Sequence, residues 1–264
     1  MVENNQEKMI DKQTKLFGFF ADSASSSKLP LYFKKLFNEN GVNASYIPMN
    51  IREDDIYFTV SGMKQSQING VNITPEYAKI VYDLIDKFDE ESKFSGVFTT
   101  ITRDNDKLFA TNNVSKAVFQ KIKAKKIGII GLGSLAKSLI FQAKNFGIEK
   151  IVFYHDSVEK IAEFIENNSK YLDGIELDIE RITKDIKLNS QDIEVLINAT
   201  YVGSVSHDNQ FDLSNIKDSV TLLDLFENKQ TYFEKIATDK NLTYIGLKDI
   251  EQEMVKIDFK DWIK

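Results

Sequence analysis

Apolar residues in this chain gather into short runs, separated by stretches in which they recur every three or four positions. That pattern predicts strands alternating with helices. Leu16-Phe17-Gly18-Phe19-Phe20 reads as a strand, and residues 21–28 (ADSASSSK) as a serine-rich, solvated connection. Pro30 sits at a helix start, where its fixed φ is an advantage. Leu31, Phe33, Leu36 and Phe37 form that helix's apolar face, and Asn40-Gly41 ends it. Residues 46–51 make the next strand, placed at or near a sheet edge because Pro48 cannot donate to a ladder. A weaker helix follows from Asp54 to about Gln67. Residues 70–74 are a strand, and Pro75 then opens a helix carrying Tyr77, Ile80, Val81, Leu84 and Ile85. Residues 97–102 and 107–111 read as a β-hairpin around Arg103-Asp104-Asn105-Asp106. A helix over 114–123, strands at 195–200, 220–225 and 244–247, and an amphipathic helix from Ile250 to Trp262 complete the series.

The centre of the pattern is Lys125-Lys126-Ile127-Gly128-Ile129-Ile130-Gly131-Leu132-Gly133-Ser134-Leu135-Ala136. Its apolar run has the length of a buried parallel strand. The run breaks at Gly131-x-Gly133-x-x-Ala136, then continues with helical spacing through Leu135, Leu139, Ile140 and Ala143. The helix stops near Asn145-Phe146-Gly147, and the strand Ile151-Val152-Phe153-Tyr154 follows. Strand, glycine turn, helix and strand form the βαβ unit that binds dinucleotides. Gly131 permits the tight turn. Gly133 lets backbone approach a pyrophosphate, whose charge sits on the free N–H groups at the helix start, and Ala136 allows close helix–strand packing. The alternative is an ordinary crossover with a glycine turn.

Composition narrows the class. The 264 residues are 42% apolar and 28% charged, enough for one or two domains with real cores. A net charge of −6, with no basic patch carrying interleaved aromatics, argues against nucleic acid as the main partner. No apolar run is long enough to span a bilayer, and the polar N-terminus reads as neither signal nor transit peptide. The chain has no cysteine, and only His155 and His207 as histidines, so neither a disulfide framework nor a zinc site is expected. The expected location is cytoplasmic, the partner a small molecule, and the chain a monomer or homodimer.

With these pieces placed, the order resembles the shikimate/quinate dehydrogenase family along nearly the whole chain. Gly70-Val71-Asn72-Ile73-Thr74-Pro75 is similar to its "G-x-N-V-T-x-P-x-K" segment. Ser95-Gly96-Val97-Phe98-Thr99 looks like "G-A-V-N-T", and Ala110-Thr111-Asn112-Asn113-Val114 like "G-x-N-T-D". His155-Asp156-Ser157-x-x-Lys160 falls where "N-R-T-x-x-K" is expected, and Ile197-Asn198-Ala199-Thr200-x-x-Gly203 resembles "I-N-A-T-x-x-G-M". Gly246-Leu247 with Gln252 and Trp262 looks like the closing helix. The resemblance implies a two-domain α/β fold. An N-terminal substrate domain of residues 1–114 would be joined by the C-terminal helix 246–264, and residues 115–245 would form a Rossmann-type NAD(P)-binding domain, with the active site in the cleft between them. It implies hydride transfer between a nicotinamide and the hydroxyl of a cyclic polyol acid, with a lysine and an aspartate handling the proton.

The departures from that family cluster on the chemistry. Its lysine position falls on Tyr77 or Ala78, leaving Lys79 as the nearest lysine; the spacing also allows Lys79 to be a solvated helix residue. The aspartate position falls on Val114, and Phe98 replaces a substrate-binding asparagine, which suggests a more apolar pocket. Ser27, Thr74, Asn112 and Gln252 are left as substrate contacts. Gly131, Gly133, Ser134, Leu135, His155, Asp156, Ser157 and Thr200 are the expected cofactor contacts. Asp156 stands where the family carries an arginine for the 2′-phosphate of NADP, so NAD is expected over NADP. The other reading makes Asp156 the cap of the following helix. Three functions stay open: a divergent dehydrogenase of this type, a member that kept the fold as a nucleotide- or ligand-binding module without catalysis, and a methyl transferase using S-adenosylmethionine.

Overall fold

A computed structural model of the chain describes residues 11–186, 188–189, 192–203, 211–226 and 230–263. His207 lies outside them. The chain divides into two units, one of Met1–Asp89, Val97–Thr111 and Val255–Lys264, the other of Glu90–Gly96 and Asn112–Met254.

The first unit contains β1 (Lys15–Ala21), α1 (Leu29–Glu39), β2 (Ala44–Asn50), α2 (Glu53–Met63), β3 (Ile68–Ile73), α3 (Pro75–Ile80) and β4 (Lys87–Phe88). The chain then passes through α4 (Glu90–Ser95), which belongs to the second unit, and returns as β5 (Thr100–Asp104) and β6 (Lys107–Thr111). The sheet runs β2-β1-β3-β5-β6-β4. Strands β1, β2 and β3 are mutually parallel, so the loops after β1 and β3 leave the sheet at one edge. Pro48 does lie in an edge strand, where its missing N–H breaks no ladder.

The second unit contains α5 (Val114–Ile122), β7 (Lys126–Ile130), α6 (Ser134–Ala143), β8 (Lys150–His155), α7 (Val158–Asn167), α8 (Ser169–Leu172), β9 (Glu176–Arg181), β10 (Val195–Asn198), β11 (Thr221–Asp224), α9 (Tyr232–Lys240), β12 (Tyr244–Ile245) and the start of α10 (Leu247–Trp262). Every strand is parallel, in the order β12-β11-β10-β7-β8-β9. The order reverses between β7 and β10, the switch point at which doubly wound sheets bind ligands. Strand β7 is sheltered on both faces, which is why its sequence is apolar without alternation: Ile127, Ile129 and Ile130 are all buried. Gly128 is required there by space, since a Cβ would lie 2.8 Å from the Tyr154 ring.

The end of α10 locks the first unit from one side. Trp262 stacks on Phe17 at 4.5 Å and on Phe33 at 5.1 Å, and its Nε1 donates to Thr102 Oγ1 at 3.0 Å. One turn earlier the fully buried Asp258 accepts from Asn72 Nδ2 (2.8 Å) and Thr100 Oγ1 (3.0 Å), while Tyr46 donates to Asn72 Oδ1 (2.8 Å). Asn72 of the "G-x-N-V-T" segment thus spends its side chain on the closing helix. A buried carboxylate is tolerable only with such donors.

The structure departs from the pattern in several places. The helix from Pro75 stops at Ile80, and residues 82–84 tighten into a 3₁₀ turn, because the following residues are drawn into β4 beside β6. The hairpin begins at Thr100 rather than at 97: α4 occupies residues 90–95 and ends at Gly96 with φ +72°. Its signal was present in the acidic pair Glu90-Glu91 and the glycine that follows. Strand β9 (ELDIER) carries no strand signal in the sequence, because an edge strand with charges on its open face lacks an apolar run.

Candidate functional site

At the carboxyl edge of the second sheet, three adjacent strands deliver the three expected cofactor segments. β7 leads to Gly131–Leu135, β8 to His155–Ser157 and β10 to Thr200. Gly131 has φ +95°, and a Cβ there would lie 2.4 Å from Thr200 Cγ2 and 3.1 Å from the Ala199 carbonyl. Any side chain is excluded twice, by conformation and by space. Gly133 is different. It caps α6 in extended backbone (φ −80°, ψ −164°), and a Cβ there would meet nothing closer than the Ala199 oxygen at 3.9 Å. The space above Gly133 is open, and Ser134 beside it is exposed. Among the described residues no side chain caps α6, so its first N–H groups have no side-chain acceptor among them. That is the cradle a pyrophosphate fits. Leu135 is half-buried.

Thr200 supports this turn and is itself fully engaged. Its Oγ1 donates to Asn198 Oδ1 (2.7 Å) and accepts from the Val202 N–H (3.0 Å), while Asn198 Nδ2 reaches the Val202 carbonyl (2.8 Å). The buried Asn198 is the residue that shapes this loop, and Gly203 completes it at φ +82°. After β8, His155 Nδ1 accepts from the Ser157 N–H (3.1 Å) and lies 2.7 Å from Asp156 Oδ1. Asp156 does not cap the following helix. Ser157 caps α7, accepting from the Lys160 N–H at 3.3 Å, and the Asp156 carboxyl stays largely exposed. Extended backbone at 157 turns its Oγ toward that N–H and leaves residue 156 outside the cap.

Sequence reasoning missed two features of this edge. Asp224, at the end of β11, is buried and accepts from Tyr244 Oη and Thr231 Oγ1, each at 2.7 Å. Burial raises its pKa and pushes the Tyr244 phenol up too. An acid ending an apolar strand was the signal. Arg181, at the end of β9, donates from Nε to the Asp156 carbonyl at 3.1 Å.

In the first unit, the loop after β1 and the N-terminus of α3 after β3 share one edge. Ser27 Oγ accepts from the Leu29 N–H at 3.1 Å, and Asn50 ties the loop by accepting from the Ser25 N–H at 2.9 Å. Thr74 caps α3, its Oγ1 facing the Tyr77 N–H. Tyr77 is buried and donates its hydroxyl to the Ile51 carbonyl; burial, with Asp22 and Glu53 nearby, raises its pKa. A phenol so placed is a poor base. Lys79 is exposed in the last turn of α3. Phe98 is fully buried, 5.8 Å from the Phe88 ring, so it packs the core rather than lining an apolar pocket. In the second unit the buried Asn112 donates to Ser138 Oγ (2.8 Å) and accepts from the Val114 N–H (3.2 Å), tying α5 to α6. Gln252 lies on an exposed position of α10.

A six-stranded parallel sheet in 3-2-1-4-5-6 order, with a glycine turn after its first strand, defines a Rossmann-type α/β fold. Residues 19–101 match the family model described as the shikimate dehydrogenase substrate binding domain. "Shikimate dehydrogenase (NADP(+))" of Streptococcus pneumoniae (strain ATCC 700669 / Spain 23F-1) is 26% identical over 243 residues, covering 86% of this chain and 84% of that protein. Shikimate 5-dehydrogenase from Listeria monocytogenes, solved in complex with shikimate and NAD, superposes with a TM-score of 0.74 at 18% identity, over 97% of this chain and 94% of that one. The 5-ketofructose reductase of Gluconobacter sp. strain CHM43 gives 0.75 at 18% identity, over 96% and 94%. In sequence the chain is similar to shikimate dehydrogenases, and in fold to their two-domain α/β structures. Among the described residues no helix is long and apolar enough to cross a membrane.

Proposed function

We propose that the protein is an NAD(P)-dependent oxidoreductase of the shikimate dehydrogenase type, working on shikimate or a related cyclic polyol acid in the cytoplasm. The observation that carries this reading is the pair of glycines after β7, one that space forbids to be anything else and one open to an approaching ligand. Gly131, Gly133, Ser134 and Leu135 would hold the pyrophosphate, and His155, Asp156 and Ser157 the adenosine ribose, with Thr200 as the wall beneath the turn. The nicotinamide supplies the hydride acceptor or donor. Ser27, Thr74 and Gln252 are assigned to the substrate, whose hydroxyls need fixed partners, while Asn112, buried and bonded to Ser138 Oγ, is left to the packing of α5 on α6. The names of the relatives support a polar ketone or alcohol as the reacting group.

The proton-transfer group is assigned to Lys79, since the Tyr77 hydroxyl is already committed to a backbone carbonyl. That commitment also supports a second reading, a member that binds nucleotide or ligand without turnover. Calorimetric titration with NAD and NADP, each with and without shikimate, and a turnover assay separate the two. Binding strengthened by shikimate, with reduction of NAD or NADP, supports the enzyme. Binding without turnover supports the second reading, and no nucleotide binding ends both.

We assign NAD as the preferred cofactor, because an exposed carboxylate at 156 accepts from ribose hydroxyls and repels a 2′-phosphate. Asp156→Arg is expected to shift the NADP-to-NAD affinity ratio upward by roughly tenfold or more, the value of one charge-assisted contact. An unchanged ratio would sink the assignment.

A further inference from the structure

Four charged side chains, Asp156, Glu159, Lys160 and Arg181, stand around the turn after β8, and Arg181 is the cation bonded to the turn's own backbone. Asp156 turns its carboxyl toward His155 Nδ1. Lys160, which matches the lysine of "N-R-T-x-x-K", lines an open cavity of about 490 Å³ together with Leu132, Lys137, Glu163 and Phe164. Strand β9 runs parallel to β8 with Arg181 opposite His155, so its side chain leaves the sheet at the same carboxyl edge. Its Nε is pinned on the Asp156 carbonyl at 3.1 Å. A guanidinium held by Nε keeps its two terminal nitrogens for another ligand, in a fork matched to phosphate. Glu159 is a competing carboxylate. Its carboxylate accepts from Ser157 Oγ at 2.8 Å, and its pKa is lowered by a backbone hydrogen bond and by Ser157, with a smaller contribution from Arg181.

We infer that Arg181 is the specificity-determining residue that admits NADP, receiving the 2′-phosphate from β9 where the arginine expected at the end of β8 is replaced by Asp156. This rests on the nucleotide-binding reading above. Asp156 then favours NAD, Arg181 keeps NADP within reach, and the pair sets the ratio between them. Arg181 acts on the adenosine end alone, so the hydride-transfer chemistry does not depend on it.

The test is calorimetric titration of the full chain with NAD, NADP and adenosine 2′,5′-bisphosphate. Arg181→Ala is expected to weaken NADP and the bisphosphate roughly tenfold or more while leaving NAD within about twofold. Arg181→Lys, which keeps the charge and loses the fork, should fall between. Asp156→Asn should strengthen NADP in the presence of Arg181 and do so less in its absence. Equal losses for NAD and NADP in Arg181→Ala would mean that Arg181 only props the turn through the Asp156 carbonyl, and would overturn the proposal. So would a wild-type protein that binds NAD but neither NADP nor the bisphosphate. If the wild type binds no nucleotide at all, the oxidoreductase reading fails first and this inference falls with it.

Discussion

Gly133→Ala should weaken nucleotide binding by roughly tenfold or more while leaving the melting temperature unchanged, whereas Gly131→Val should lose both. The contrast follows from the two backbones. At 133 a methyl meets nothing closer than 3.9 Å and φ is −80°, so the folded protein accepts it. What it fills is the space a pyrophosphate would use, and losing hydrogen bonds to a charged group costs about 1.5–3 kcal/mol, or roughly ten- to a hundredfold in affinity. At 131 φ is +95°, and the new Cβ would lie 2.4 Å from Thr200 Cγ2. A β-branched residue held there stores about 1–3 kcal/mol of backbone strain, before the clash is counted. Thermal melts with and without NAD read both effects in one experiment. NAD binding by Gly133→Ala at wild-type strength would show that the pyrophosphate does not approach this turn.

Trp262→Ala should destabilise the first unit by about 3–5 kcal/mol, the usual cost of removing a buried aromatic. The indole is nearly buried between the rings of Phe17 and Phe33, and its removal also strands Thr102 Oγ1. Trp262→Phe keeps most of the stack and loses the Nε1 bond, so about 1 kcal/mol is expected. Since domains are stable by only about 5–15 kcal/mol, the alanine variant should shift the urea midpoint substantially. A loss below about 1 kcal/mol would mean that the end of α10 is not anchored as described. Gly70 belongs to the same contact: a Cβ there would come within 2.8 Å of the indole nitrogen.

Most elements of the fold were legible because their signals are local. An apolar run bounded by Gly131-x-Gly133 needs no distant partner to be read as strand and turn, and Pro30, Pro48 and Pro75 each fall where their fixed φ or missing N–H demands. Sequence alone also determined that the chain carries a dinucleotide-type turn and departs from its relatives at Tyr77, Phe98 and Val114. Only the tertiary structure decided what the polar side chains of these segments do. Tyr77 is committed to the Ile51 carbonyl, Asn112 to Ser138 and Asn72 to Asp258, pairs separated by 26, 26 and 186 positions. Hydrogen bonds across such separations leave no periodic trace, since each partner is an ordinary polar residue in its own segment. The same holds for Arg181. Its place beside Asp156 depends on the register of β9 against β8, which is set by backbone pairing rather than by any pattern of its own. Local spacing settled which elements form, and the pairing of distant strands settled which side chains meet.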